Sequence, residues 1–254
     1  KKPLIVHGKH FLEYFNYCEL IESTKGISFT NFEPNPDLES IKNGSQVFID
    51  EKCDAIIAIG GGSAIDVAKA IKHTLVSDSD PFTKYIPLFA IPTTAGTGSE
   101  STHFSVVYNQ GEKTSIASPG NFPDGVIFDE KLLESLPTYQ RKSTLLDAFC
   151  QAVDSHWSNR ANQKSLKYAK ESLEIILEHG LDFVEGSNKH LKNLFYASNL
   201  AGKAINVSKT TGPHAMSYAV TKSEKISHGH AVSLCIEAIV LLIPQKLRDG
   251  ELSI

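Results

Sequence analysis

The four cysteines of this chain, Cys18, Cys53, Cys150 and Cys235, form no C-x-x-C pair. That spacing excludes a thioredoxin-like or zinc-ribbon motif, and a chain of 254 residues needs no disulfide staples, so all four read as reduced thiols. A long hydrophobic run is also lacking. The longest, from Ala231 to Pro244, is broken by Glu237 and is too short to cross a bilayer, and the first residues carry no signal-like apolar segment. The expectation is a soluble, cytoplasmic protein. There is no excess of basic charge: the net charge is −4 and the pI is near 6.2, which points away from nucleic acid and from anionic membranes. Any attraction for anions must be local. No repeat or low-complexity linker divides the chain, and 41% hydrophobic with 21% charged residues is the balance of a globular protein.

What is there alternates. Leu4 to Val6 ends at His7-Gly8, Ile27 to Thr30 leads to Asn35-Pro36, and a helix is predicted from Asp37 to Lys52. Ala55 to Ile59 runs into three glycines and a helix through Lys72, and Leu88 to Ile91 runs into Pro92-Thr-Thr-Ala-Gly-Thr-Gly-Ser99. Strands separated by helices predict a parallel sheet covered on both faces, with ligands bound beyond the carboxyl ends of its strands. Thr114 to Ala117 and Gly125 to Phe128 read as further strands, and 129–137 as a turn with a short helix. Beyond about Thr138 the pattern is helical: Thr144 to Asn159, Asn162 to Glu178, Asn188 to Asn206, and a segment after His228. The predicted division is an α/β dinucleotide-binding domain over 1–138 and a helical metal-binding domain over 139–254. Lys222 to Lys225 and Gly229 read as loop between the histidine-bearing elements.

Two constellations carry chemistry. Asp147 and Gln151 stand four residues apart and so share one helix face, where His214 and His228 could join them around one ion. Ile59-Gly-Gly-Gly-Ser-Ala-Ile-Asp66 reads as a strand end, a glycine turn and a helix start, a place for phosphates. Each has an ordinary alternative: unrelated histidines in the one case, a tight turn with a helix N-cap in the other. Together, a metal and a dinucleotide suggest hydride transfer. Cys150, three residues after Asp147, reads first as a small buried hydrophobe.

In sequence order, Gly60-Gly-Gly-Ser-Ala-Ile-Asp66-Val-Ala-Lys69, Ile91-Pro-Thr-Thr-Ala-Gly-Thr-Gly-Ser-Glu100, Asp129 to Pro137, Asp147-Ala, His214-Ala-Met-Ser-Tyr218 and His228-Gly resemble the iron-containing (group III) alcohol dehydrogenases. The resemblance runs from near the first residue to about Leu241. It implies a dinucleotide-binding α/β domain, an all-α domain, and a divalent ion, iron(II) or zinc, in a cleft between them; the fold is shared with dehydroquinate synthase. It also implies that a leading strand and the family's last helices are missing, and a homodimer is the expected assembly.

The resemblance assigns the metal to Asp147, His214 and His228, with Gln151 where members usually carry histidine. Gln151 is a weaker, neutral donor that could ligate the ion or only bond its water. Tyr218 stands where many members have another histidine and could donate a proton or simply pack; His230 could relay a proton or cap a helix. Gly61, Gly62 and Ser63 would meet the pyrophosphate, Thr93, Thr94, Thr97 and Ser99 the nucleoside parts, and Asp66 and Lys113 the nicotinamide end. Asp66 has a competing role as partner of Lys69. Relatives that use NAD place an acidic residue after the first strand, where this chain has Gly8 and Lys9, so NADP is expected over NAD. The Ser-Lys-Thr-Thr segment before Pro213-His214 is similar to the phosphonoacetaldehyde reductase branch, and Lys209, with Ser208, Thr210 and Thr211, would hold an anionic tail. The alternative readings are a dehydroquinate synthase-like lyase and a non-catalytic nucleotide-binding protein.

Overall fold

The computed structural model describes residues 1–9, 11, 18–34, 36–77, 85–109 and 112–242; the expected turn at Asn35 and the end of the apolar run at Pro244 lie outside them. The chain divides into two compact units, Lys1–Thr94 with Ser99–Ser135, and Ala95–Gly98 with Leu136–Ile254.

The first unit is built on a parallel sheet in the order β2-β1-β3-β4-β7: β1 Pro3–His7, β2 Ile27–Phe29, β3 Ala55–Gly60, β4 Leu88–Pro92 and β7 Gly125–Val126. Every residue of β1 is buried, which is why these strands read as unbroken apolar runs rather than as alternating ones. Among the described residues, the α-helices of this unit are α1 (Cys18–Thr24), α2 (Leu38–Asp50), α3 (Gly62–Ser77) and α4 (Lys131–Glu134). Asp37 caps α2 by accepting from the Ser40 backbone N–H at 2.8 Å. Val6, Phe29, Phe48, Ile56, Ile71 and Leu88 lie in one core cluster. Thr114 to Ala117 is part of a longer strand, β6 Glu112–Ala117, but it pairs outside the main sheet. Its antiparallel partner is β5, Phe104–Asn109, a strand absent from the sequence reading.

The second unit is helical: α5 Thr138–Trp157, α6 Gln163–Val184, α7 Leu191–Ser208, α8 Gly212–Glu224 and α9 His228–Leu242. Helix α5 starts six residues before the expected Thr144, directly after Pro137. Buried Arg141 anchors its first turn by donating to the carbonyls of Leu136, Phe183 and Ser187. Helix α6 opens on a reciprocal capping box between Asn162 and Ser165. The core here is alanine-rich, with Ala148, Ala152, Ala169, Ala197, Ala201 and Ala204, and small side chains let helices approach closely. Two expectations are corrected. Lys222 to Glu224 continue α8, which stops at left-handed Lys225 (φ 53°), and Gly229 lies inside α9 rather than in a loop. No helix among the described residues is long and apolar enough to cross a membrane.

Candidate functional site

Four side chains of the second unit come together, with Asp147, Gln151 and His214 buried and His228 partly exposed. Asp147 and Gln151 come from one face of α5, His214 from the first turn of α8, and His228 from the start of α9. One ligand atom from each of Asp147, His214 and His228 lies within 4.8 Å of the other two. His214 Nε2 is 3.6 Å and His228 Nε2 3.9 Å from Asp147 Oδ1. The Gln151 amide nitrogen donates to the Thr97 carbonyl at 3.1 Å and to Asp147 Oδ1 at 3.3 Å. Its donor end is therefore committed to protein acceptors. Gln151 Oε1 and His214 Nε2 are buried and have no hydrogen-bond partner.

A buried polar atom without a partner costs on the order of 1–3 kcal/mol, and two in one cluster call for an explanation. A divalent cation supplies one. A carboxylate and two imidazole nitrogens, with the Gln151 amide beside the carboxylate, form a mixed oxygen and nitrogen set that suits iron(II) or zinc, so these residues fit the ion that the sequence implied. The electrostatics agree. Burial alone would raise the Asp147 carboxyl, but the nearby His214 and His228 imidazoles outweigh it, so its pKa is lowered and the anionic form favoured. Burial would lower the His214 pKa, and Asp147 and Asp154 together reverse it to a net rise.

Cys150 takes no part in the cluster. It packs with Val232 and Ile236, and burial, followed by the charges of Asp147 and Asp154, pushes its thiol far above the ordinary range. The Tyr218 ring stacks parallel to His228 at a centroid distance of 5.6 Å. His230 turns elsewhere: its Nδ1 lies 3.3 Å from the Tyr139 hydroxyl, which also accepts from Ser227 N and Oγ. It stands two positions after His228 on the helix, which puts the two rings on different faces.

Lys209 caps α7 with φ 63° and ψ 173°, a backbone region that only glycine enters at ease. Burial, and next the charge of Arg160, lowers its pKa. The hydroxyls expected to assist it are engaged in packing: Ser208 Oγ donates to Ser155 Oγ and Thr211 Oγ1 to Asp154.

In the first unit the glycine turn joins β3 to the N-terminus of α3. Gly60 has φ +155°, a backbone conformation that favours glycine, and a Cβ on Gly61 would meet Thr94 Oγ1 at 3.3 Å, a tight contact. Gly62 and Ser63 open α3, and the Thr93 N–H donates to the Gly60 carbonyl. Thr97 clusters with the second unit, where its carbonyl receives Gln151.

Asp66 and Ser99 are tied into a buried network. The Asp66 carboxylate accepts from Ser99 Oγ and from Val106 N at 3.0 Å, while fully buried Lys69 donates to the Ser99 carbonyl, Thr102 Oγ1 and the Phe104 carbonyl. Burial raises the Asp66 pKa, opposed chiefly by Lys69 and, less strongly, by Lys113. Burial likewise pulls Lys69 down to about 8. Among the described residues, no atom comes within 4 Å of a Cβ added at Gly8. Lys9 is paired with Glu33, which follows β2 and had no place in the sequence reading.

Sequence reasoning also missed Asp154. It lies seven residues after Asp147 on the same face of α5 and is fully buried, with Oδ2 2.7 Å from His214 Nδ1. The i, i+4, i+7 spacing of Asp147, Gln151 and Asp154 was the available signal.

Known proteins resemble this chain over most of its length. Residues 1–130 match the model of the iron-containing alcohol dehydrogenases, and residues 142–247 match the C-terminal model of the same family. An NADPH-dependent butanol dehydrogenase of Clostridium saccharobutylicum is 28% identical over 94% of this chain and 67% of that protein. A 1,3-propanediol dehydrogenase of Citrobacter freundii is 31% identical over 88% of this chain and 62% of that protein. Among solved structures, the sulfoacetaldehyde reductase of Bifidobacterium kashiwanohense in complex with NAD+ superposes with a TM-score of 0.87 at 31% identity, covering 95% of this chain and 69% of that one. The chain thus spans about two thirds of the length of these relatives. On these matches it belongs to the iron-containing alcohol dehydrogenase family.

Proposed function

We propose that this chain reduces a small aldehyde carrying an anionic tail, using a nicotinamide dinucleotide and a divalent ion held by Asp147, Gln151, His214 and His228. The observation that carries the reading is the pair of orphaned buried acceptors, Gln151 Oε1 and His214 Nε2, beside a carboxylate held in its charged form. When bound, the ion polarises the carbonyl oxygen and the dinucleotide supplies the hydride. Tyr218, stacked on His228, offers the hydroxyl proton that turns the forming alkoxide into the alcohol. His230, the other proton donor that the sequence offered, is held by the Tyr139 hydroxyl on another face of α9. Asp66 contributes by fixing Ser99 and β5 at the nicotinamide end, with Lys113 beside it, while Gly61, Gly62 and Ser63 receive the pyrophosphate, and Thr93, Thr94 and Thr97 the nucleoside parts. The enzyme is taken to be a cytoplasmic homodimer acting on a small molecule.

NADPH is favoured because Gly8 leaves room for a 2′-phosphate and Lys9 can meet it. Glu33 works against that preference, since a phosphate must replace it as the partner of Lys9. For the metal, Gln151→His is expected to tighten zinc binding about tenfold, because imidazole is the stronger donor. Titration calorimetry reads this directly, and an unchanged affinity would remove Gln151 from the ligand set.

For the substrate, a lysine in a glycine-like backbone conformation, with the charge of Arg160 nearby, is the support for an anionic tail. Phosphonoacetaldehyde is the first candidate, and sulfoacetaldehyde, the substrate in the name of one relative, is the second. Either should be reduced with kcat/KM at least about tenfold above propanal, and Lys209→Ala should cost the anionic aldehyde about 10–100-fold, the worth of one charge-assisted bond, while sparing propanal. NADPH and NADH oxidation rates measured with all three aldehydes decide it. A parent protein that prefers propanal, or a variant that loses all three equally, would reduce the proposal to a general aldehyde reductase.

A further inference from the structure

The carboxylate of Asp154 is saturated. Its Oδ2 takes His214 Nδ1 at 2.7 Å and the Thr211 backbone N–H at 2.9 Å, and its Oδ1 takes Trp157 Nε1 at 2.8 Å and Thr211 Oγ1 at 2.9 Å. Four donors meet four lone-pair sites inside the protein, where Asp154 has no exposed surface. With donors on every side, the residue accepts and donates nothing. The Asp154 pKa is accordingly lowered: burial would raise it, and the His214 bond, the His214 charge and the Thr211 bonds together prevail.

We propose that Asp154 is a positioning residue that holds His214 as the Nδ1–H tautomer, so that Nε2 presents its lone pair to the ion, and that ties this ligand to the turn carrying Lys209. The inference rests on the metal reading given above. A neutral imidazole carries one proton, and whichever nitrogen holds it cannot ligate. The Asp154 carboxylate can only accept, so it draws that proton to Nδ1 and leaves the buried Nε2 without a partner, as observed. The same two oxygens receive both polar groups of Thr211, the residue that precedes α8, and Ser158 Oγ, four residues after Asp154, donates to the Ser208 carbonyl at 2.6 Å. Asp154 and Ser158 therefore pin both ends of the Ser208–Thr211 turn. Asp154 never meets substrate in this scheme; it acts through His214 and through the turn.

Asparagine at this position exposes the logic. Its single oxygen can face either the His214 side or the Trp157 side, and its NH2 must then confront donors on the other. With the NH2 toward His214, the ring is forced to accept at Nδ1 and to carry its proton at Nε2, where it blocks the metal. Asp154→Asn is therefore expected to weaken zinc binding 10–100-fold by calorimetry. In the metal-free protein, at a pH where the ring is neutral, ¹⁵N NMR should show His214 moving from Nδ1–H toward Nε2–H. Thr211→Val removes one donor from Asp154 without touching the His214 bond and should leave the tautomer unchanged.

An Asp154→Asn protein with parental zinc affinity and an Nδ1–H ring would overturn the proposal. So would a parent protein whose His214 is already Nε2–H, a result that requires no variant to fold. A parent that binds no zinc, yet shows the tautomer change on Asp154→Asn, would instead overturn the metal reading and uphold the role of Asp154.

Discussion

His228→Ala is expected to leave a folded protein that no longer retains its divalent ion, with affinity reduced at least about 100-fold. His214→Ala should do the same, whereas Cys150→Ala should keep the ion. The argument rests on donor atoms. Removing either imidazole leaves two oxygen donors, one anionic and one neutral, and one nitrogen, short of the tetrahedral set that iron or zinc takes in proteins. The two histidine variants differ in their secondary cost. His214 is buried between Asp147 and Asp154, so truncating it leaves each carboxylate short of one partner in the interior and should destabilise the protein by roughly 3 kcal/mol. His228 keeps about a third of its side chain exposed, so its loss falls mainly on the metal. Elemental analysis of purified protein and calorimetric zinc titration give the two readings. Full metal content in both histidine variants would mean that the cluster is not the metal site. Loss in Cys150→Ala would mean that the thiol, rather than packing against Val232 and Ile236, reaches the ion.

The parts of this site that were legible in the sequence are those set by local periodicity. Asp147 and Gln151 could be placed together because a helix repeats every 3.6 residues, and the glycine turn could be placed at a strand end because an apolar run stops there. The order of strands and helices was enough to give a parallel sheet. What stayed hidden depends on partners distant in the chain. Asp154 shares the helix face of Asp147, but the four donors that give it meaning come from Trp157, Thr211 and His214, up to 60 residues away. Asp66 was read as bordering a nicotinamide, and the structure spends its carboxylate on Ser99 and Val106. Glu33 reaches Lys9 only because β2 lies beside β1 in the sheet. The hydroxyls of Ser208 and Thr211 looked available as a run of polar residues before His214, and they turned out to be spent on Ser155 and Asp154.

Gly229 shows how far a local rule can mislead, and it carries the largest expected effect on stability. Glycine after a histidine read as loop because glycine is a poor helix former. It lies instead in the first turn of α9, where an added Cβ would come 2.0 Å from the Ser143 carbonyl oxygen and 2.9 Å from Asp147 Cβ. Those atoms belong to the backbone of α5 and to a metal ligand, so no rotamer change can relieve the overlap. The glycine is what lets α9 approach α5 closely enough to bring His228 Nε2 within 3.9 Å of Asp147 Oδ1 and Ser227 Oγ within 2.6 Å of Ser143 Oγ. Gly229→Ala must therefore push two helices apart. We expect a loss of about 3 kcal/mol or more, a fall in Tm of roughly 6–12 °C, and weakened zinc binding because His228 is carried away from Asp147. Gly120→Ala is the control: its nearest neighbour to a new Cβ is Ser118 Oγ at 3.7 Å, an ordinary contact, so its effect should stay within about 0.5 kcal/mol. Thermal unfolding of the metal-free proteins isolates the packing effect, and zinc titration of the same samples isolates the ligand geometry. A Gly229→Ala protein that melts with the parent and binds zinc equally well would show that α5 and α9 do not meet through this glycine, and the placement of His228 would fall with it.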